Sequence, residues 1–500
     1  MKIGNLREAD ALADKRREEI RLATDVVTIA GTAYYVSASG NDANDGRTPD
    51  SAWRTLRRVS EAVLLPGDGV FFCRGDIFRG WVDTKRGVTY GAYGTGEKPR
   101  FYGWIEDMAT PSLWTLADEA HHIWQYAKKI LDVGTIVFDD GQAHSRKLIP
   151  SYLNGRFVCR DEESRPFVMS SEMTEDLDLY WHYDDRLTCP QYDCGAPPVP
   201  AMDERSYGTL YLRCDRGNPG EVFNSIEALP RQHMFVVADR ANVHLDNLCL
   251  KYIGCHAVAA YGHVVGLCVT NCEIGWIGGC IQHYAGTDPN FPEGGRGSVT
   301  RYGNAVEIYG GCEDFTVSNC YIYQVYDAGI THQVTTDGRR YVMQNVLYEN
   351  NLVERCVYGI EYFLNMTAGD TESLMRHIVF RHNILRLSGY GWGQQRHNKH
   401  TPAHIKGWDH ANAAEDFVIE SNILDRSAYR MVHLVAKKDA YCPVLLGNTY
   451  IQYRNGMLGE RGGNEKKQPE LWYFDENAAK HIREAWGDIT ATLIYAEEGE

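Results

Sequence analysis

The sequence predicts an all-β solenoid, and three observations carry that prediction. First, an Asn recurs just before an apolar pair or alternation, at Asn247, Asn271, Asn319, Asn351, Asn383, Asn422 and Asn448, with gaps of 24, 48, 32, 32, 39 and 26 residues. Second, a short alternating strand precedes each Asn, such as Phe315-Thr316-Val317 or Phe417-Val418-Ile419, and another follows some ten residues later after a Gly or small residue. Third, the 500 residues hold 48 Gly and 31 Tyr but only 17 Pro, which suits strands and tight turns rather than linkers. One coil of ~24 residues cannot bury its own apolar face, whereas coils stacked ~4.8 Å apart can. Asn side chains aligned at one turn then form an amide ladder that satisfies backbone groups freed by the bend. A β-sandwich with Asn in ordinary turns is the competing reading. Seven recurrences in one phase disfavour it.

The elements before the repeat follow from local pattern. Leu6 to Thr24 reads as an amphipathic helix rich in Ala, Arg and Glu. Ala33 to Ser37 is a strand, followed by a turn-rich stretch from Gly40 to Gly46. A helix is expected over Trp53 to Ala62, a turn at Pro66-Gly67-Asp68, and a strand over Val70 to Cys73. Asp42, Asn44 and Asp45 are read as a turn closed by Asx hydrogen bonds, because no bidentate Glu follows at calcium-loop spacing.

Composition narrows the class. Hydrophobic residues are 44% and charged residues 24%, as in soluble globular proteins. No apolar run approaches the ~20 residues of a membrane span. The net charge of −16 repels nucleic acid and anionic membranes without forbidding a local basic groove. Of the 14 Cys, Cys249, Cys268, Cys272, Cys280, Cys312 and Cys320 fall in apolar strand patterns, as small core residues do. The charged N-terminal segment has no apolar signal region, so a reduced, cytoplasmic protein is the expectation. Cys189 and Cys194 lack a second ligand pair, so no zinc site is assigned.

The stretch Tyr34 to Gly46, then Trp53-Arg54-Thr55-Leu56, Pro66-Gly67-Asp68 and Arg74-Gly75-Asp76, resembles the opening of right-handed parallel β-helix proteins of the pectate-lyase-like superfamily. The Asn-punctuated coils from Phe235 to about Leu458 are similar to the same group. The resemblance implies a right-handed parallel β-helix whose N-terminal helix caps the open end of the solenoid. The expected organisation is a capping helix over 1–30, first coils over 31–103, an inserted accessory β region over 104–229, the main β-helix with its groove over 230–465, and a C-terminal cap over 466–500. Members of the superfamily are mostly carbohydrate-active, as lyases, hydrolases, esterases and epimerases, besides viral tailspikes. The fold alone does not name the reaction. The Asn-Thr-Asp, Gly-Asp-Asp and Arg-Ile-Lys elements of polygalacturonases are absent, and Trp408-Asp409-His410 is one residue short of the pectate-lyase Trp-x-Asp-His. No catalytic residue carries over.

Candidate site residues therefore come from register. Aligning the strands after each turn gives a β-branched file, Val258, Val306, Ile330, Ile360, Ile405 and Val432, which should face inward. By alternation its neighbours face out. One side is Ala257, Ala305, Gly329, Gly359, His404 and Met431, the expected floor of a groove. The other is Ala259, Glu307, Thr331, Glu361, Lys406 and His433, a line of ionisable groups. Glu307 and Glu361 lie two coils apart, ~9–10 Å between Cα atoms. That is nearer the ~6.5–9.5 Å carboxyl spacing of inverting glycosidases than the ~5–5.5 Å of retaining ones. Lys406, one coil from Glu361, should hold that carboxylate ionised as base or nucleophile, leaving Glu307 as the acid. Asp327 is a third carboxylate near the groove, and Tyr326, Trp392 and Trp408 are candidate stacking faces for sugars. The segments Thr287 to Tyr302 and Gln394 to Pro402, the latter with His397, Lys399 and His400, should wall the cleft. His283 and His332 follow the inward alternation, as core or strand-end histidines. His404, His433, Thr331 and Asp409 are candidate substrate contacts; His404 with Asp409 is too few ligands for a metal, so none is assigned. Outward Glu and Lys are ordinarily wet surface; two Glu, a Lys and two His on one short face are what set function against that reading.

Three functions compete. The first is glycoside hydrolysis of an oligo- or polysaccharide by two carboxylates without a cofactor. The second is a lyase or epimerase on uronic acids, with Lys406 or His433 taking the C5 proton and a divalent cation such as calcium, or an Arg, neutralising the carboxylate. The third is a non-enzymatic carbohydrate-binding or tailspike-like protein, although no trimerisation domain is apparent at the C-terminus. The first is preferred, with a saccharide as partner, no nucleic acid or membrane partner, and oligomerisation open.

Overall fold

The computed structural model describes residues 3–148, 151–153, 156–158, 169–182, 207–285, 298–367, 369–370, 372–396, 401–408, 412–465 and 469–497. Each coil of the main body lays down three strands. One coil runs Tyr358–Asn365, Leu374–Arg381 and Ile384–Arg386, and the next begins at Ala403–Gly407. Coil stacks on coil in parallel register, with Ile360 opposite Ile405, Ile378 opposite Phe417 and Ile384 opposite Ile423. The result is a right-handed parallel β-helix with a N-terminal helix. Its interior is one continuous file of Val, Ile, Leu and aromatic side chains from Tyr34 to Ala491. The third sheet is ten-stranded and runs from Ile77–Arg79 to Thr492–Ala496.

The recurring Asn residues fall into two neighbouring columns, not one. Leu352 pairs with Tyr321 and Ile384, so Asn351 stands in line with Cys320, Asn383 and Asn422, while Asn319 stands in line with Asn350. The first column is the left-handed residue of the bend, Asn247, Asn271, Asn319, Asn350, His382 and Ser421, with φ between 52° and 58°. Asn tolerates that conformation because its short side chain bonds locally. The second column is the amide ladder. Asn351 Nδ2 donates to Asn383 Oδ1 at 2.9 Å, Asn383 to Asn422 at 3.0 Å, Asn422 to Asn448 at 3.1 Å, and Asn448 to Asp488 at 3.0 Å. Each Oδ1 also accepts a backbone N–H from the coil before, and each Nδ2 also donates to a carbonyl such as Val317 O or Tyr348 O. Towards the N-terminus the ladder position becomes Cys320 and Cys272, whose thiols are directed at carbonyls of Val269 and Leu245. The other cysteines of the apolar strand patterns are free, and all but the half-buried Cys268 are buried.

The N-terminal helix, Leu6–Leu22, does not cover the open end; it lies along the flank of the third sheet. Its Leu6, Ala9, Ala13 and Ile20 pack on Tyr321, Leu352, Ile384, Ile423, Ile451 and Ile494, outward residues of successive coils. Seventeen helical residues span ~25 Å, and five coil steps span ~24 Å, so helix and apolar stripe match in length. Arg21 reaches Glu273 at 2.9 Å, Arg17 reaches Glu354 at 3.1 Å, and Asp10 meets Arg426 at 3.0 Å, which sets its direction antiparallel to coil growth. Trp53, Leu56 and Val59, with the short helix Leu56–Glu61, join the first end of the core instead, and Ala478, Ile482 and Trp486 join the last. Placing a carboxylate in the flank seam with Ala13→Asp is expected to release the helix. Limited trypsin digestion should then cut at Arg16, Arg17 or Arg21 while leaving the solenoid intact.

Between the first and main coils the chain builds a separate five-stranded sheet, from Trp114–Asp118, Ile123–Tyr126, Arg146–Lys147, Asp178–His182 and Thr209–Arg213. It has its own core, which takes in Ile281 of the hairpin strand Cys280–Ala285. The buried Asp132–Lys147 pair, at 2.5 Å, also accepts the Ile281 N–H, and Gln395 Nε2 donates to Ser145 O at 2.8 Å. The region thus flanks the segment that carries Arg396. Asp42 closes its turn by accepting from Arg54 N, Thr55 N and Thr55 Oγ1. Cys189 and Cys194 lie outside the described residues. Among the described residues no helix is long and apolar enough to cross a membrane.

Candidate functional site

The outward line of the first sheet is continuous. Ala259 stands beside Glu307, then Thr331, Glu361, Lys406, His433 and finally Glu460, one residue per coil. Three coils thus separate Glu307 from Lys406, with Thr331 between the two Glu. The line is not a wet face. Glu307, Glu361, Lys406 and Thr331 are all at most 5% exposed, and His433 and Glu460 are buried beside them.

The small-residue file is not the groove floor. Ala257, Ala305 and Met431 lie in the main core, and a Cβ on Gly329 would come within 2.6 Å of Val353. His404 is fully buried with Nδ1 2.9 Å from Ser388 Oγ, and burial lowers its pKa to about 3, so it is a core histidine rather than a substrate ligand. The reason is a parity slip. At the corner leading into each strand two successive residues point inward, so alternation carried backward across the bend is off by one. The second outward column is therefore one residue earlier: His256, Asn304, Ala328, Tyr358, Ala403 and Arg430, with the Ala328, Tyr358 and Ala403 register directly paired. A third column, two residues beyond the ionisable one, is Tyr261, Tyr309, Gln333 and Phe363, followed by Trp408. His256, Arg430 and Glu460 were legible in principle, as the residues two before, or one coil beyond, the aligned file.

These columns give the two Glu surroundings opposite to those expected. Glu307 Oε2 lies 2.8 Å from His256 Nδ1 and accepts from Asn304 Nδ2 at 2.7 Å, while Oε1 accepts from Gln333 Nε2 at 3.2 Å. Thr331 Oγ1 bonds Gln333 Oε1 at 3.1 Å and so turns that amide towards Glu307. Burial opposes ionisation, but the charge and hydrogen bond of His256, then the two amides, hold Glu307 below its ordinary value. Asn304 N–H also points at His256 Nδ1 from 2.9 Å, but one nitrogen cannot both accept that amide and donate to Glu307; burial opposes charge on His256, and the Glu307 carboxylate outweighs it and raises the pKa, so the ion pair is the contact that is kept. Glu361 has no such partners. Burial, then the Asp327 carboxylate, push its pKa well above the ordinary value, with Glu307 adding and Arg396 and Lys406 only partly offsetting. Its carboxyl makes no hydrogen bond or ion pair among the described residues. The surroundings thus favour the proton on Glu361 and the charge on Glu307.

Lys406 does not pair with Glu361 either. Its Nζ sits 4.2 Å from the Trp408 ring centroid and 6.0 Å from that of Tyr358. Burial and then Arg430 lower its pKa to about 8. Asp327 is ion-paired with Arg396 Nη1, whose guanidinium lies over Tyr358, so it is not a free third carboxylate, although its charge still acts on Glu361. At the far end Arg430 Nη1 meets Glu460 Oε1 at 2.7 Å and His433 Nδ1 at 2.5 Å, and burial first of all lowers His433 to about 4.

Of the expected stacking faces only Trp408 borders the columns, edge-on to Tyr358 at 5.7 Å. Tyr326 and Trp392 are buried together with Tyr102, Tyr252 and Trp276, and Trp392 Nε1 donates to Gln324 O, so neither offers a face to a sugar. Instead the third column supplies Tyr309, 38% exposed, and the half-buried Tyr261 and Phe363. His332 is a core histidine bonded to Tyr348. Asp409, His397, Lys399, His400 and residues 287–297 lie outside the described residues, as does the side chain of His283. Among the described residues no three His, Cys, Asp or Glu side chains are grouped to hold a metal.

No family model matches this chain, and no curated protein matches it. Solved structures do resemble it. A structure described as XylC with xylose shares 11% identity, covering 93% of this chain and 82% of that one, at a TM-score of 0.41. A GH136 lacto-N-biosidase from Eubacterium ramulus shares 11%, covering 97% and 70%, at 0.36. A rhamnogalacturonan lyase shares 11%, covering 87% and 75%, at 0.34. The assignment of the parallel β-helix rests on the strand register of this chain.

Proposed function

We propose that this protein is a glycoside hydrolase in which Glu361 is the general acid and Glu307 the general base. The observation that supports it is one pair of buried carboxyls, two coils apart on one outward face, whose surroundings drive their pKa values in opposite directions. Glu361, whose pKa is held well above the ordinary carboxyl range by burial and the Asp327 carboxylate, is the group that gives its proton to a leaving oxygen. Glu307 is ionised and, held by His256, can take a proton from water. Two coil steps separate their Cα atoms by ~9.6 Å, leaving a place for that water above Thr331 and favouring inversion at the anomeric carbon. The aromatic third column offers apolar faces for sugar rings beside the carboxyls.

A saccharide panel read by reducing-end release is the test, with the first-formed anomer of the product followed by NMR. Glu307→Ala is expected to lower kcat by roughly 10²–10⁴, and azide, which needs no base, should restore part of it. Unchanged turnover in that variant would remove the assignment. One observation favours a second reading: Lys406, whose Nζ makes no hydrogen bond among the described residues and whose pKa burial and then Arg430 lower to about 8, suits proton abstraction from a uronic acid. Absorbance from an unsaturated uronate in the same panel would select that reading.

A further inference from the structure

We infer that Tyr261 is a hydrogen-bond donor to substrate, its hydroxyl proton directed into the groove by a stacked pair of buried imidazoles behind it. A backbone amide N–H can only donate. His256 N–H donates to His233 Nδ1 at 3.1 Å. Unlike Nδ1 of His256, this nitrogen faces no carboxylate or other acceptor among the described residues, so it carries the lone pair, and a neutral His233 carries its proton on Nε2. His233 Nε2 lies 3.0 Å from Tyr261 Oη, so the imidazole donates and the phenol oxygen accepts. The phenol's own proton is then left to point elsewhere, and Tyr261 makes no other hydrogen bond among the described residues.

Three further observations support this direction. His233 and His256 are both buried and lie face to face, 4.8 Å between centroids at 4°, so neither ring can turn without the other. Burial and the neighbouring His256 keep His233 neutral. Burial and the Glu307 carboxylate keep the Tyr261 phenol protonated, and the second of these also places the hydroxyl in the field of Glu307. Tyr261 stands in the third outward column beside Tyr309, on the Glu307 side of the groove. The ligand feature it fits is an acceptor oxygen, such as a sugar hydroxyl or ring oxygen, on the ring that faces Glu307. Only that last identification rests on the hydrolase reading.

Two measurements on the full chain test it. Nitrogen-15 NMR of histidine-labelled protein, with His233 assigned by its loss in His233→Gln, should show an Nε2–H tautomer at pH 7. An Nδ1–H tautomer or an imidazolium would overturn the proposal. Tyr261→Phe removes the hydroxyl alone, and should lower kcat/KM roughly three- to tenfold on a p-nitrophenyl glycoside that the wild type cleaves, mainly through KM, with Tm retained. Unchanged kcat/KM would overturn the proposal. If the wild type cleaves no glycoside, the hydrolase reading fails and the His233 tautomer alone decides this inference.

Discussion

Glu361→Gln should abolish cleavage of a saccharide with a poor leaving group, by roughly 10²–10⁴ in kcat, while sparing an aryl glycoside whose leaving group needs no proton. The variant keeps the shape of the neutral side chain, so folding should survive. It also carries a stability signature. The folded-state pKa of Glu361 lies above its unfolded value of 4.5, so the native state holds that proton more tightly. Its contribution is therefore full at pH below 4.5 and is lost as pH rises through the folded value. Gln cannot ionise and does not incur that loss. The Tm of Glu361→Gln relative to wild type should thus climb between pH 5 and pH 8. A variant that loses ground to wild type over that range, or that cleaves both substrate types equally slowly, would show that Glu361 is not the buried acid. The same ionisation sets the alkaline limb of the wild-type pH profile, because deprotonation of Glu361 removes the acid.

The other large effect is on stability. Asn383→Ala removes a side chain that is fully buried and fully bonded: it donates to Tyr348 O and Asn422 Oδ1, and accepts from Asn351 N and Asn351 Nδ2. The partners left behind are themselves buried and cannot reach water. Unsatisfied groups of this kind cost ~1–3 kcal/mol each, and a total of roughly 3–5 kcal/mol is expected in denaturant unfolding. Asn319→Ala is the internal comparison. Asn319 is exposed, and its role is a left-handed φ of 52°, so its replacement should cost only about 1 kcal/mol. Equal losses at the two positions would contradict the division of the Asn residues into a bend column and a ladder column.

That division shows how far a sequence repeat can be read. The spacing of Asn residues located the coils, yet a recurrence at 31 residues and one at 32 look alike on paper. Asn350 and Asn351 are adjacent, and only the pairing of Leu352 with Tyr321 tells which belongs with Asn319. The inward file from Val258 to Val432 was readable because burial selects β-branched side chains, and a strand's period of two then placed Glu307, Glu361 and Lys406 on one outward line. Carried one step backward across the corner, the same rule failed, and His404 and Met431 went to the wrong face. Tyr326 and Trp392 failed for a different cause. They pack with Tyr102, Tyr252 and Trp276 of other coils and with Val137 and Leu229 of the strands Val133–Phe138 and Ile226–Pro230, all far away in sequence, and nothing local announces it.

The roles of the two Glu show the same boundary. Proximity along the stack suggested that Lys406 would ionise Glu361, but proximity is only one of the contributions. Burial, the Asp327 carboxylate and the amine's preference for the Trp408 face decide the outcome the other way, and His256 does for Glu307 what Lys406 does not do for Glu361. By itself, then, the amino-acid order determined the stacked-coil architecture and the outward alignment of the acid column, because both follow from periodicities that a single strand already possesses. Tertiary structure alone decided which carboxyl keeps its proton and which side chains remain uncovered. Those depend on solvent exclusion and on charges contributed by neighbouring coils, quantities with no period along the chain.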